Sequence, residues 1–103
     1  MKLAMMFVLA ALAFPGAATS EAPKTHTVLI TGFRFVPEKL EVNTGDTVIW
    51  KNADLVPHTA TARKFDSKGL DQGQSWSYIA KAKGSFPYIC TFHPTMKAEL
   101  TVK

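Results

Sequence analysis

Beyond residue 20 the chain never sustains a helical period. It advances in short runs of alternating apolar and polar residues, each closed by turn-forming residues. Alternation with a period of two is the pattern of a strand with one buried face. Candidate strands are 25–35, 39–42, 47–52, 59–62, 75–79, 85–90 and 98–102. Between them lie Pro37-Glu38, Asn43-Thr44-Gly45-Asp46, Ser67-Lys68-Gly69, Gln72-Gly73 and Lys83-Gly84. Proline, glycine, asparagine and aspartate at these places are turn chemistry. Seven short strands predict an all-β antiparallel sandwich of about seven to eight strands.

The alternation also assigns faces. Leu40 and Val42 oppose Lys39 and Glu41, and Val48 and Trp50 oppose Thr47 and Lys51. In the run before the cysteine, Phe86, Tyr88 and Cys90 share one side, so Cys90 is expected between the sheets at a strand end. Trp50, Phe86, Tyr88, Trp76 and Tyr78 read as core residues by the same pattern.

Residues 1–20 have a different character. Lys2 precedes an unbroken apolar run over 3–14, followed by Pro15, Gly16 and small residues. This is the layout of a Sec-type signal peptide, and the run is shorter than the roughly 20 residues a membrane helix needs. Cleavage after Ala18 or Ser20 fits the small-residue rule. The expectation is a signal peptide over 1–20 and a mature domain over 21–103, exported to the periplasm and not inserted in the membrane. The only cysteine lies far from the cleavage region and there is no twin-arginine pair, so neither a lipid-modified N-terminus nor Tat export is expected.

Removing 20 of 103 residues leaves 83, a single small domain, with 11 Lys and Arg against 8 Asp and Glu. The lysines are scattered and no arginine-rich stripe occurs. The mild positive charge therefore speaks for solubility or weak steering, not for nucleic-acid binding. The mature chain is expected to be a monomer.

Three of the four methionines (Met1, Met5 and Met6) fall in the signal, which leaves Met96, Cys90 and three histidines in the mature domain. A lone cysteine in an exported protein has no internal disulfide partner, and a thiolate buried beside an aromatic core is costly unless neutralised. A metal ion neutralises it. The segment Cys90-Thr91-Phe92-His93-Pro94-Thr95-Met96 places thiolate, imidazole and thioether three residues apart in a loop that Pro94 stiffens. His58, held behind Pro57 at the end of the loop leaving the Trp50 strand, supplies a second imidazole. A His₂Cys set with a weak axial methionine suits copper in both oxidation states and one-electron transfer. The metal ligands predicted are His58, Cys90, His93 and Met96, binding one type 1 copper ion. Asn52 either supports the His58 loop or ends its strand, and His26 reads as a solvated surface residue.

With these residues in view, the chain resembles the cupredoxins, and the amicyanins among them. Phe33-Arg34-Phe35-Val36-Pro37 and Gly45-Asp46-Thr47-Val48-Ile49-Trp50-Lys51-Asn52 look like the front half of the family. Phe65-Asp66-Ser67 and Gly84-Ser85-Phe86-Pro87-Tyr88-Ile89-Cys90 look like its back half. The resemblance implies a Greek-key sandwich with copper at one end. It also implies a dehydrogenase that donates electrons and a c-type cytochrome that accepts them. The chain departs from the pattern in a shorter mature N-terminus and in Phe92, which stands where proline is usual. A non-proline residue there has an N–H, so Phe92 and Thr59 are both expected to donate to the Cys90 sulfur.

Two other readings use the same residues. A Cys90 nucleophile with His58 or His93 as base lacks an orienting third group and an oxyanion hole, so the chain is not expected to be an enzyme. A copper-handling protein without an electron-carrier role uses the same donors, but carriers of Cu(I) present exposed thiol or methionine clusters, whereas here one inward cysteine and one methionine serve.

Overall fold

The computed structural model describes residues 21–103, so the expected signal peptide lies outside the described residues. Seven strands follow in order: β1 (Thr25–Thr31), β2 (Arg34–Val36), β3 (Lys39–Val42), β4 (Thr47–Asn52), β5 (Ser75–Ile79), β6 (Gly84–Cys90) and β7 (His93–Val102). They form a four-stranded sheet in the order β2-β1-β4-β5 and a three-stranded sheet in the order β3-β7-β6. The all-β sandwich is as expected. No helix among the described residues is long and apolar enough to cross a membrane.

In its strands the structure differs from the sequence reading in three places. The run 25–35 is not one strand, because the chain reverses at Gly32-Phe33, where both residues have positive φ (60° and 59°). That is the backbone of a tight hairpin turn whose twist matches its strands, and it sets Thr31 opposite Arg34. The sheets are also not purely antiparallel, since β1 pairs β4 and β3 pairs β7 in parallel. Strands distant in sequence meet this way when a chain crosses between sheets. Finally, 59–62 is not a strand; it makes isolated bridges from Thr61 to Ile89 and Asp66.

The inward faces match the alternation. Val28, Ile30, Phe35, Val42, Val48, Trp50, Phe86, Tyr88, Leu100 and Val102 are buried in one core. Trp50 is its centre, with ring centroids 5.1 Å from Phe65, 5.5 Å from Tyr88 and 5.7 Å from Trp76. Trp76 and Tyr78 pack against the cluster but are only partly buried. Burial without a charged partner pushes the Tyr88 phenol up to about 12, with Trp50 opposing the shift. β4 and β6 run the same way through the molecule, as does β1, so Asn52, Thr31 and Cys90 finish at one end. The two sheets thus deliver three strand ends to a common place.

The opposite end is closed by Asp46. Its carboxylate accepts the backbone N–H groups of Lys24 (2.9 Å) and Asn43 (3.0 Å) and contacts His26 Nε2 at 2.9 Å. His26 is therefore not a free surface residue; it is half-buried and paired. The Lys24 amide, then His26, then the Asn43 amide lower the Asp46 carboxyl from the ordinary 3.8 to about 2, against the opposing effect of burial. Gly45, at φ 97°, makes the turn that presents this residue. Because the folded carboxyl titrates below the unfolded one, its contribution to stability is complete above about pH 4 and is lost as the pH falls towards about 2. Asp46→Asn should lower stability at neutral pH and flatten its loss between about pH 4 and 2, as read from urea unfolding at a series of pH values.

Candidate metal centre

β6 and β7 pair regularly from Gly84↔Val102 to Ile89↔Lys97, and then the register jumps to Cys90↔His93. One step along β6 is matched by four along β7, so β7 carries three extra residues at this point. Such a bulge re-aims side chains and strengthens local twist. Continued without the jump, the regular register sets Met96 opposite Cys90, while the closing pair sets His93 there. The jump explains how His93 comes opposite the sulfur although the regular register would set Met96 there. The turn itself is only Thr91-Phe92, and His93 and Met96 already belong to β7, not to a loop. Met96 is 6% exposed, whereas Pro94 and Thr95 between the two donors are exposed.

His58 arrives from the other sheet. Asn52, fully buried at the end of β4, donates from Nδ2 to the carbonyls of Val56 (2.9 Å) and Leu70 (2.8 Å) and accepts the Asp54 N–H at 2.9 Å. It thereby folds the segment 52–58 back on itself, which settles its role as support for the His58 loop. His58 and Leu70 exchange both backbone hydrogen bonds, at 3.1 and 2.8 Å. The imidazole is 0% exposed, and its Nε2 lies 2.9 Å from Asp54 Oδ2. A carboxylate there accepts Nε2–H and selects the neutral tautomer whose free lone pair is on Nδ1. Burial pushes the Asp54 carboxyl up, but the Phe33 and Gly32 amides, with His58, outweigh it and hold it below the ordinary value.

The three donors converge. Cys90 Sγ lies 3.6 Å from His58 Nδ1 and 3.7 Å from His93 Nδ1, and all three ligand atoms lie within 4.8 Å of one another. Separations of this size are the span of two donors each about 2.0–2.3 Å from one ion. Cys90 is fully buried and His58 likewise, while His93 is half-buried and presents its outer edge. Soft sulfur with two imidazoles is the donor chemistry of copper.

The surroundings hold the donors in place. The Thr59 N–H donates to Cys90 Sγ at 3.4 Å, as expected. The Phe92 N–H does not: among the described hydrogen bonds to the sulfur it has no place, and the Phe92 ring turns outward, 53% exposed, over Gly69. Thr59 Oγ1 is a hub that accepts the Thr91 N–H and the Thr61 hydroxyl, each at 2.9 Å. It ties the residue after His58 to the residue after Cys90.

Phe33 and Asp54 escaped the sequence reading. Phe33 stands edge-on to both imidazoles, with ring centroids 5.0 Å from His58 and 4.8 Å from His93. The available signal was Gly32, a turn residue inside an otherwise regular strand pattern. Asp54 gave none beyond lying four residues before His58.

A sequence model described as a cupredoxin-like domain matches residues 2–102. Amicyanin-alpha of Methylorubrum extorquens is 32% identical over 94 residues, which cover 84% of this chain and 79% of that protein. Among solved structures, a purple cupredoxin from Nitrosopumilus maritimus superposes with a TM-score of 0.71 at 26% identity, covering 76% of this chain and 99% of that one. An oxidised methionine-to-leucine variant of amicyanin superposes at 0.72 and 25% identity, covering 76% and 81%. The chain belongs to the cupredoxin-like family, the class of small β-sandwich copper proteins. Within it the chain is most similar to the amicyanins, with copper as its cofactor and blue-copper electron transfer as its kind of work.

Thr59→Val keeps shape and removes the hub oxygen, leaving the Thr91 N–H without its acceptor. Loss of a partly buried hydrogen bond costs about 1–2 kcal/mol, so the urea midpoint should fall with an unchanged slope.

Proposed function

We propose that residues 21–103 work in the periplasm, after removal of residues 1–20, as a one-electron carrier between a dehydrogenase and a c-type cytochrome. His58, Cys90, His93 and Met96 are the copper ligands in this reading. The observation that carries it is the buried Cys90 sulfur with two imidazole nitrogens at 3.6 and 3.7 Å. Copper bound there supplies a Cu(II)/Cu(I) couple that accepts one electron and passes one on. Cys90 would provide the thiolate, His58 and His93 the imidazole nitrogens, and Met96 a weak thioether donor. The β6–β7 register, the Thr59 hub and the Asn52 clasp hold these groups still, so that little need move when the charge changes. Two features support this over a copper-handling role: the thiol is fully buried, and Met96 is the one methionine of the mature domain.

The test is copper titration with visible spectroscopy and voltammetry. An intense blue band with reversible one-electron cycling is expected. Cys90→Ser should abolish the band, because the thiolate is the source of the charge transfer. Met96→Gln should keep copper and lower the potential, because a harder oxygen donor in place of the thioether favours Cu(II). A blue Cys90→Ser protein overturns the ligand assignment, and tight copper binding without reversible cycling favours copper handling.

Electrons enter and leave through His93 in this proposal. The exposed residues that flank the two histidines along the chain, Leu55, Val56, Pro57, Phe92, Pro94 and Thr95, would rim that edge, and Phe33, packed on both imidazoles, adds a 47% exposed ring; Lys97 follows Met96 in sequence. Small apolar patches suit brief electron-transfer encounters. Lys81 and Lys83 precede β6 and so lie roughly 20 Å from the sulfur end at ~3.3 Å per residue. Val56→Asp or Pro94→Asp should slow electron transfer to a c-type cytochrome at all salt concentrations, whereas a Lys81→Ala, Lys83→Ala double variant should matter little at high salt. A larger loss from the lysine pair at high salt sinks the His93 route.

A further inference from the structure

We propose that Asp54 is a positioning residue that sets the donor strength of His58 and seats the Phe33 ring against both imidazoles. The inference rests on the reading of His58 as a copper ligand. One carboxylate serves two parts of the molecule. Oδ2 lies 2.9 Å from His58 Nε2 and accepts the Phe33 N–H at 2.9 Å, and Oδ1 accepts the Gly32 N–H at 2.7 Å. The Asp54 N–H is itself held by Asn52 Oδ1 at 2.9 Å. Two successive residues in the left-handed region aim their N–H groups at one point, a small anion-binding concavity. Phe33 has no glycine's freedom at φ 59°, and such a conformation persists only where its surroundings hold it.

The electronic consequence has a definite sign. A carboxylate on the far nitrogen of a ligating imidazole raises its basicity and fixes its orientation. His58 is fully buried, so water does not share that nitrogen. Greater donation and a nearby negative charge stabilise Cu(II) over Cu(I), which lowers the reduction potential. The same hydrogen bonds place the Phe33 ring 5.0 and 4.8 Å from the two imidazoles. Turn and ligand are thus linked through Asp54, and loss of the charge is felt at both.

Asp54→Asn separates charge from shape. Its oxygen can keep the two donors at the Oδ2 position, while its NH₂ faces the Gly32 N–H and loses that bond. The copper-loaded variant should remain blue, with its preference shifted towards Cu(I) about tenfold, ~59 mV upward for a one-electron couple. Amide exchange should quicken at Gly32 in Asp54→Asn and at both Gly32 and Phe33 in Asp54→Ala. A blue Asp54→Asn protein with the parent's potential overturns the proposal and leaves the copper reading standing. A wild-type protein without a blue band overturns the copper reading and this inference with it. A further measurement needs no variant. In the reduced, diamagnetic wild-type protein the His58 Nε2–H should be a slowly exchanging, resolved proton, and exchange at the rate of an exposed imidazole also overturns the proposal.

Discussion

A sulfur atom at the inward end of β6 is the constraint on which the rest of this molecule turns. Cys90 shares its face with Phe86 and Tyr88 and is fully buried, so its ionised form needs a compensating positive charge and its neutral form wastes a well-aimed donor. The β6–β7 bulge brings His93 opposite it, with buried Met96 three residues further on, and the Asn52 clasp brings His58 from the opposite sheet. The sandwich is the device that lets two sheets approach one atom from both sides. Cys90 and Met96 belong to the same buried cluster as Trp50, so the site is continuous with the core.

Much of this was legible in the residues. The alternation 86, 88, 90 fixed the direction of the sulfur, and Cys90, His93 and Met96 announced themselves by type and spacing. What the sequence concealed was set by contacts between distant segments. Local alternation is the same for a strand paired in parallel or antiparallel, so the β1–β4 and β3–β7 pairings left no mark. Phe33 alternates correctly as a strand residue, and only Gly32 hinted that the chain turns there. Asp54 and Asp46 are both ordinary loop aspartates to the eye. Each takes its importance from partners about twenty residues away. The Phe92 amide illustrates the reverse error, since an N–H in the right place along the chain points elsewhere once the turn is built.

The hydrogen-bonded shell divides its labour. Thr59 binds the sulfur through its backbone and joins two segments through its hydroxyl, while Asn52 shapes the loop of one ligand without touching it. Asp46 does comparable work for the far end, where β1, β4 and the turn at 43–46 meet. Buried polar groups are tolerated when they are hydrogen-bonded, and Asn52, Thr59 and Asp46 each are, which ties the ligand geometry to the fold.

The bulge has a consequence for how such a protein can change over generations. The three surplus residues of β7 lie between the pair that closes the hairpin and the resumption of regular pairing at Lys97. Residues gained or lost within that interval leave every later pair of the sheet in its old alignment, so the side chains of the core keep their faces. Lineages can therefore vary the spacing and character of the metal-binding turn while inheriting the packed core intact. Chemistry and architecture in this chain are free to diverge at different speeds.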